Sequence, residues 1–123
     1  MKVIHTDAAP AAIGPYSQAM VSGGFLFTSG QIGLDPKTGA VAGDTVEAQT
    51  EQIMKNLSAV LSAAGTDFAR VVKTTCFLAD MGDFAAFNAI YERYFTGKPA
   101  RSCVAVRTLP KGMLAEVELV AEV

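Results

Sequence analysis

With two cysteines, one histidine and no run of basic residues, this chain offers little support to several classes of function. Cys76 and Cys103 sit in strand-like runs and form no spaced framework, so free thiols in a cytoplasmic protein are expected. His5 stands alone, and a metal centre would need partners that the chain does not group around it. Ten basic residues are dispersed among twelve acidic ones, for a net charge of −2. Binding a nucleic-acid backbone calls for a basic stripe, so no nucleic-acid partner is expected. No apolar run approaches the roughly 20 residues of a membrane helix. Met1 to Asp7 also lacks the apolar centre of a signal peptide, and no membrane association is expected. Repeats, linkers and low-complexity tracts are missing as well.

What the chain does have is apolar residues. They make up 50% of 123 positions, and mean hydropathy is +0.31. That length suits one domain, residues 1–123, with a real core. Such a composition is rich for a small monomer, and burial against other copies of the chain is the expected explanation. A core built from many alanines is the alternative.

Short apolar runs at Lys2 to His5, Gln18 to Val21 and Phe25 to Ser29 read as strands, the last two joined as a hairpin by Ser22-Gly23-Gly24. A helix is expected from about Thr45 to Ala64, capped by Asp44, with Glu47 at capping-box spacing and Gly65 as terminator. Its apolar face carries Ile53, Leu57, Val60, Leu61 and Ala64. Val71 to Ala79 is β-branched and apolar, hence a strand. Asp83 is expected to cap a second helix, Phe84 to Phe95, which Gly97 and Pro99 stop. Strand-like runs at Arg101 to Arg107 and Leu114 to Val123 complete the order β-β-β-α-β-α-β-β. An α+β fold follows, with helices covering one face of the sheet.

Between the last two strands, Leu109-Pro110-Lys111-Gly112 supplies turn residues, and an antiparallel hairpin is expected there. Alternation in the final strand sends Ala115, Val117, Leu119 and Ala121 towards the helices and Glu116, Glu118 and Glu122 away. The same reasoning puts Arg101 and Cys103 with Glu116 on the face away from the helices. Arg grips a carboxylate through two parallel hydrogen bonds, and Glu can hold or deprotonate a water. One pocket of this kind can bind and hydrolyse a small carboxylic acid derivative.

The chain resembles the RidA family, also called YjgF, of reactive-intermediate or enamine/imine deaminases. The blocks that carry the likeness run nearly end to end. They are Ala11-Ala12-Ile13-Gly14-Pro15-Tyr16-Ser17-Gln18-Ala19, Thr28-Ser29-Gly30-Gln31-Ile32, Val72-Lys73-Thr74-Thr75, Phe87-Asn88-Ala89-Ile90-Tyr91, Pro99-Ala100-Arg101-Ser102-Cys103-Val104 and Leu109-Pro110-Lys111-Gly112, closing with Glu116. The resemblance implies a chorismate-mutase-like fold, with a mixed six-stranded sheet and two helices on one face. Three such sheets would enclose a barrel in a homotrimer, with clefts between neighbouring subunits. It implies hydrolysis of 2-imino acids such as 2-iminobutanoate and 2-iminopropanoate, leaked by pyridoxal-phosphate enzymes, to 2-oxo acids and ammonia. No metal or organic cofactor is implied.

Residue by residue, Arg101 resembles the clamp on the substrate carboxylate, and Glu116 the acid that orients or activates water. Cys103, Ser29 and Tyr16 resemble residues lining the cleft. Plainer readings stand beside these: an ion pair for Arg101, packing for Cys103 and Tyr16, a strand end for Ser29. Asn88 reads as a bond to nearby backbone and Cys76 as core. The connection from Tyr94 to Pro99 is short, which alters the rim of the cleft relative to relatives with a longer loop. Glu118 shares a face with Glu116, so the choice between these acids rests on the family register.

Overall fold

The twist of the chain at Gly23 and Gly24 sets the first hairpin. Both have positive φ, 61° and 83°, as a two-residue turn between twisted strands requires. It joins β2, Ala19–Ser22, to β3, Phe25–Thr28, and β1, Lys2–Ile4, lies antiparallel on the outer edge of β2. The computed structural model describes residues 1–123. Helix α1 spans Val46–Ala63, β4 Val71–Leu78, α2 Phe84–Tyr94, β5 Ala100–Ala105 and β6 Ala115–Glu122. The six strands form one sheet in the order β1-β2-β3-β6-β4-β5.

Two caps differ from expectation. Thr45, not Asp44, caps α1, its hydroxyl accepting from the Ala48 amide, which takes the position a capping-box Glu47 would need. Asp83 makes no capping bond; Asp80 instead accepts from Gly82 at the start of a 3₁₀ turn that leads into α2. Gly65 does end α1. With φ at 78° it lets the Thr66 and Gly65 amides donate back to the Leu61 and Ser62 carbonyls, the double closure of a Schellman motif.

The larger correction concerns β5 and β6, which are not a hairpin. Strand β4 lies between them, parallel to β5 and antiparallel to β6. Helix α2 serves as the crossover that a parallel pair needs. That crossover carries β5 to the sheet's edge, while β6 enters the middle between β3 and β4. Register also reverses the expected face of β5. Arg101 pairs with Thr74, and Cys103 with Cys76, so both point to the helix side, where Thr74 and Cys76 are fully buried. Glu116 pairs with Phe77 on the open side. Val104, next along the strand and so on the face opposite Arg101 and Cys103, is 47% exposed.

The core fills the space between helices and sheet. Ile53, Leu57 and Val60 of α1 and Phe87 of α2 pack fully buried against the neighbourhood of Leu26, Leu78 and Val117. Tyr94 donates to Glu51, and Arg93 pairs with the same carboxylate, tying α2 to α1. Buried amides anchor the loops that lead to the open face. Asn56 donates to the Ile32 and Leu34 carbonyls, while Gln18 holds both the Thr6 amide and the Pro10 carbonyl. These backbone groups are partly buried, so each pairing spares some fraction of the roughly 1–3 kcal/mol that a fully buried, unpaired group costs.

Candidate functional site

Arg101 leaves β5 towards α2 and enters a ready-made seat. Phe84, Asn88 and Tyr91 recur at helical spacing along one stripe of α2. The guanidinium lies 4.7 Å from the Tyr91 ring centre and 5.3 Å from that of Phe84, and its Nη1 donates to Asn88 Oδ1 at 2.5 Å. Tyr91 is fixed in turn by a 2.7 Å hydrogen bond between its hydroxyl and that of Thr74. No carboxylate pairs with Arg101; the ion pairs are His5–Asp7 and Arg93–Glu51. Beside it opens a hollow of about 390 Å³, bordered by Asn88, Tyr91, Glu92, Phe95, Lys98 and Pro99. Although Glu92 borders the hollow, it makes no ion pair with Arg101, and a guanidinium with spare donors, aromatic neighbours and a neutral hydrogen-bond partner is prepared for an anion.

Glu116 lies in a second hollow, of about 170 Å³, on the other side of the sheet. Tyr16, Gly30, Gln31, Ile32, Pro110 and Lys111 are among its neighbours there. Paired bonds between Gln31 and Val117, 2.8 and 3.1 Å long, set the loop against β6. Gly30 makes the approach possible. A Cβ at that position would stand 2.8 Å from the Glu116 carboxyl carbon, closer than such atoms pack. Burial raises the Glu116 pKa above the usual carboxylate range, and the like charge of Glu118 raises it further.

The structure therefore groups Arg101 with Cys103 and Glu116 with Tyr16, and it separates the two pairs within one chain. Cys103 stands beside Cys76, and burial pushes both thiols up, that of Cys76 to about 12, with Arg101 only partly offsetting the shift at Cys103. Protonated thiols are poor nucleophiles. Tyr16 is half exposed at the lip of its hollow, with its ring against Gly14. Ser29 is engaged locally: its hydroxyl donates to the Ser17 carbonyl at 2.6 Å and its amide to Gln18.

Asn88, read from sequence as a partner of nearby backbone, instead binds the Arg101 side chain. In the sequence Gly30 looks like any glycine at a strand end. The spacing of Phe84, Asn88 and Tyr91 is a signal for the first seat, but only once β5 is known to lie under α2.

Residues 6–123 match the family model described as Endoribonuclease L-PSP, the family that includes RidA. The chain belongs to the RidA/YjgF family. Among its relatives, the 2-iminobutanoate/2-iminopropanoate deaminase of Salmonella typhimurium is 52% identical, covering 98% of this chain and 96% of that protein. A Lactococcus lactis relative, 55% identical over 100% of this chain and 98% of its own, carries a regulator's name, AldR. The fold is that of RidA-family structures. The crystal structure of E. coli TdcF with bound serine superposes with a TM-score of 0.94, at 40% identity, covering 100% of this chain and 99% of that one. No helix is long and apolar enough to cross a membrane.

Proposed function

We propose that this RidA-family protein is a cytoplasmic homotrimer that hydrolyses 2-imino acids and their enamine tautomers, 2-iminobutanoate and 2-iminopropanoate among them. In this reading three sheets close a chorismate-mutase-like barrel. Arg101 and Cys103 of one protomer then face Glu116, Tyr16 and Ser29 of the next across a shared cleft. The observation that carries the reading is the split itself. An unpaired guanidinium and a half-buried carboxyl each border an open hollow, on opposite sides of one sheet, and a second copy of the chain supplies the missing half to each. The open face also exposes large apolar side chains, Val3, Phe25 and Phe27, among its charged residues.

The chemistry asks little of the protein. An imine carbon is electrophilic, more so with its nitrogen protonated, so no side-chain nucleophile or metal is required. Arg101 grips the carboxylate with the donors that Asn88 leaves free. Glu116 holds a water over C2 and takes its proton as the oxygen bonds to carbon. Return of a proton to nitrogen lets ammonia leave and the 2-oxo acid form. Proton management of this kind contributes about 10²–10⁴-fold, which suffices for a substrate that already hydrolyses in water. The family model's description names an endoribonuclease, but a net charge of −2 with dispersed bases suits a small anion better than RNA.

A second reading is a carboxylate sensor without turnover. It is favoured by the Arg101 seat, which can bind an anion unaided, by the serine-bound relative and by the regulator's name. One experiment separates the two. A threonine dehydratase generates the imine, semicarbazide traps what survives, and 2-oxobutanoate is followed with wild type or Arg101→Ala added. Faster imine loss with wild type alone supports the deaminase; two proteins that both behave like buffer leave the sensor.

A further inference from the structure

Only two residues other than glycine have positive φ, and both are lysines: Lys98 at 51° and Lys111 at 57°. In that region Cβ crowds the following carbonyl, which is why glycine or asparagine is the usual occupant. Lys98 bears a further restriction because Pro99 follows it. The two strained positions are not scattered. Lys98 borders the Arg101 hollow, and Lys111 borders the Glu116 hollow. Neither has a carboxylate within ion-pair distance, since the ion pairs lie elsewhere. Strained backbone that persists beside a site is a reason to ask what it positions, and here it places an exposed lysine outside any ion pair at each rim, with Glu92 bordering the first hollow and Glu116 the second.

We infer that Lys98 and Lys111 are recruiting cations, held at the two rims of the cleft to draw in a small carboxylate and raise its residence there. The inference rests on the reading that the Arg101 seat binds a carboxylate, and it adds residues that act before the chemical step. An exposed ammonium acts over roughly one Debye length, about 8 Å at physiological salt. Its contribution is therefore modest and screened: about threefold in affinity for each lysine at low salt. When neighbouring protomers join the two hollows, both charges border one cleft.

The test uses Lys98→Gly, Lys111→Gly and the matching Arg variants of the full chain. Titration calorimetry measures 2-oxobutanoate binding at low and high salt, thermal melts measure stability, and the trapping assay separates KM from kcat. Each Gly variant is expected to bind about threefold more weakly at low salt, with KM raised, kcat unchanged and no difference at high salt. Its melting midpoint should not fall, because relief of the strained φ offsets the flexibility that glycine adds to the unfolded chain. The Arg variants should match wild type. Unchanged affinity of both Gly variants at low salt overturns the inference. So does a loss that persists at high salt and that Arg does not rescue, which would make the lysines structural. A wild type that binds no 2-oxobutanoate at either salt removes the carboxylate reading itself.

Discussion

Replacing Asn88 by Asp changes one atom group and asks the sharpest question of the Arg101 seat. Asn88 Oδ1 already accepts from Nη1 at 2.5 Å, so Asp fits without moving the helix or the strand. The variant turns an uncompensated guanidinium into half of an ion pair. Two unit charges about 4 Å apart interact by about 4 kcal/mol at the effective dielectric of a partly buried site. Any incoming carboxylate meets a seat whose net charge has fallen by one. Allowing for solvent screening and for the donors that remain free, the anion loses about 2 kcal/mol, or roughly 30-fold in affinity. Asn88→Ala is the control, since it removes the acceptor yet leaves the charge over Tyr91. Calorimetric titration with 2-oxobutanoate should rank wild type first, Asn88→Ala next and Asn88→Asp last. Melting should rank Asp at or above wild type, because the new pair ties β5 to α2. Wild-type affinity in Asn88→Asp would refute the idea that an unpaired Arg101 is what the seat preserves.

Other outcomes follow from the same geometry. Gly30→Ala should leave the melting midpoint nearly unchanged, because the Glu116 side chain can swing away from a Cβ 2.8 Å from its carboxyl carbon, but deaminase activity should drop. Glu118→Gln removes the like charge that helps to raise the Glu116 pKa, so the acid limb of the pH–rate profile should move to lower pH. Glu116 also links to stability: its raised folded pKa means the native state keeps a proton that the unfolded chain has released. Stability falls as pH rises through that window, and a denaturation series with Glu116→Gln should lose this slope. Leu57→Ala, at a fully buried position, should cost about 2–5 kcal/mol in denaturant unfolding.

Local chemistry made much of the fold legible. Paired glycines announced the first hairpin, the 3.6-residue period located α1, and the alternation of β6 sorted its core-facing residues from its acids correctly. Pairing between distant strands was not local. Nothing between Arg107 and Leu114 states that the chain travels past β4, and a Pro-Gly turn looks the same whether it links neighbours or not. Phase was the second difficulty. On an edge strand Val104 can lie exposed while Arg101 finds aromatic and amide partners, so an apolar-inward rule assigns β5 the wrong face. Arg101 and Glu116 themselves were visible from residue type and family motif. Their separation on two sides of the sheet follows from the parallel register of β4 and β5, which only the assembled sheet reveals.

The shared cleft is the central claim, and subunit complementation tests it most directly. Arg101→Ala and Glu116→Gln are each expected to be inactive alone in the imine-trapping assay. Co-expressed or unfolded and refolded together in equal amounts, they should form mixed trimers. A cleft drawing Arg101 from one protomer and Glu116 from the next is intact in roughly a quarter of cases, so about a quarter of wild-type activity should return. A mixture as inactive as its components, with mixed trimers shown to be present, would contradict a site built from two protomers.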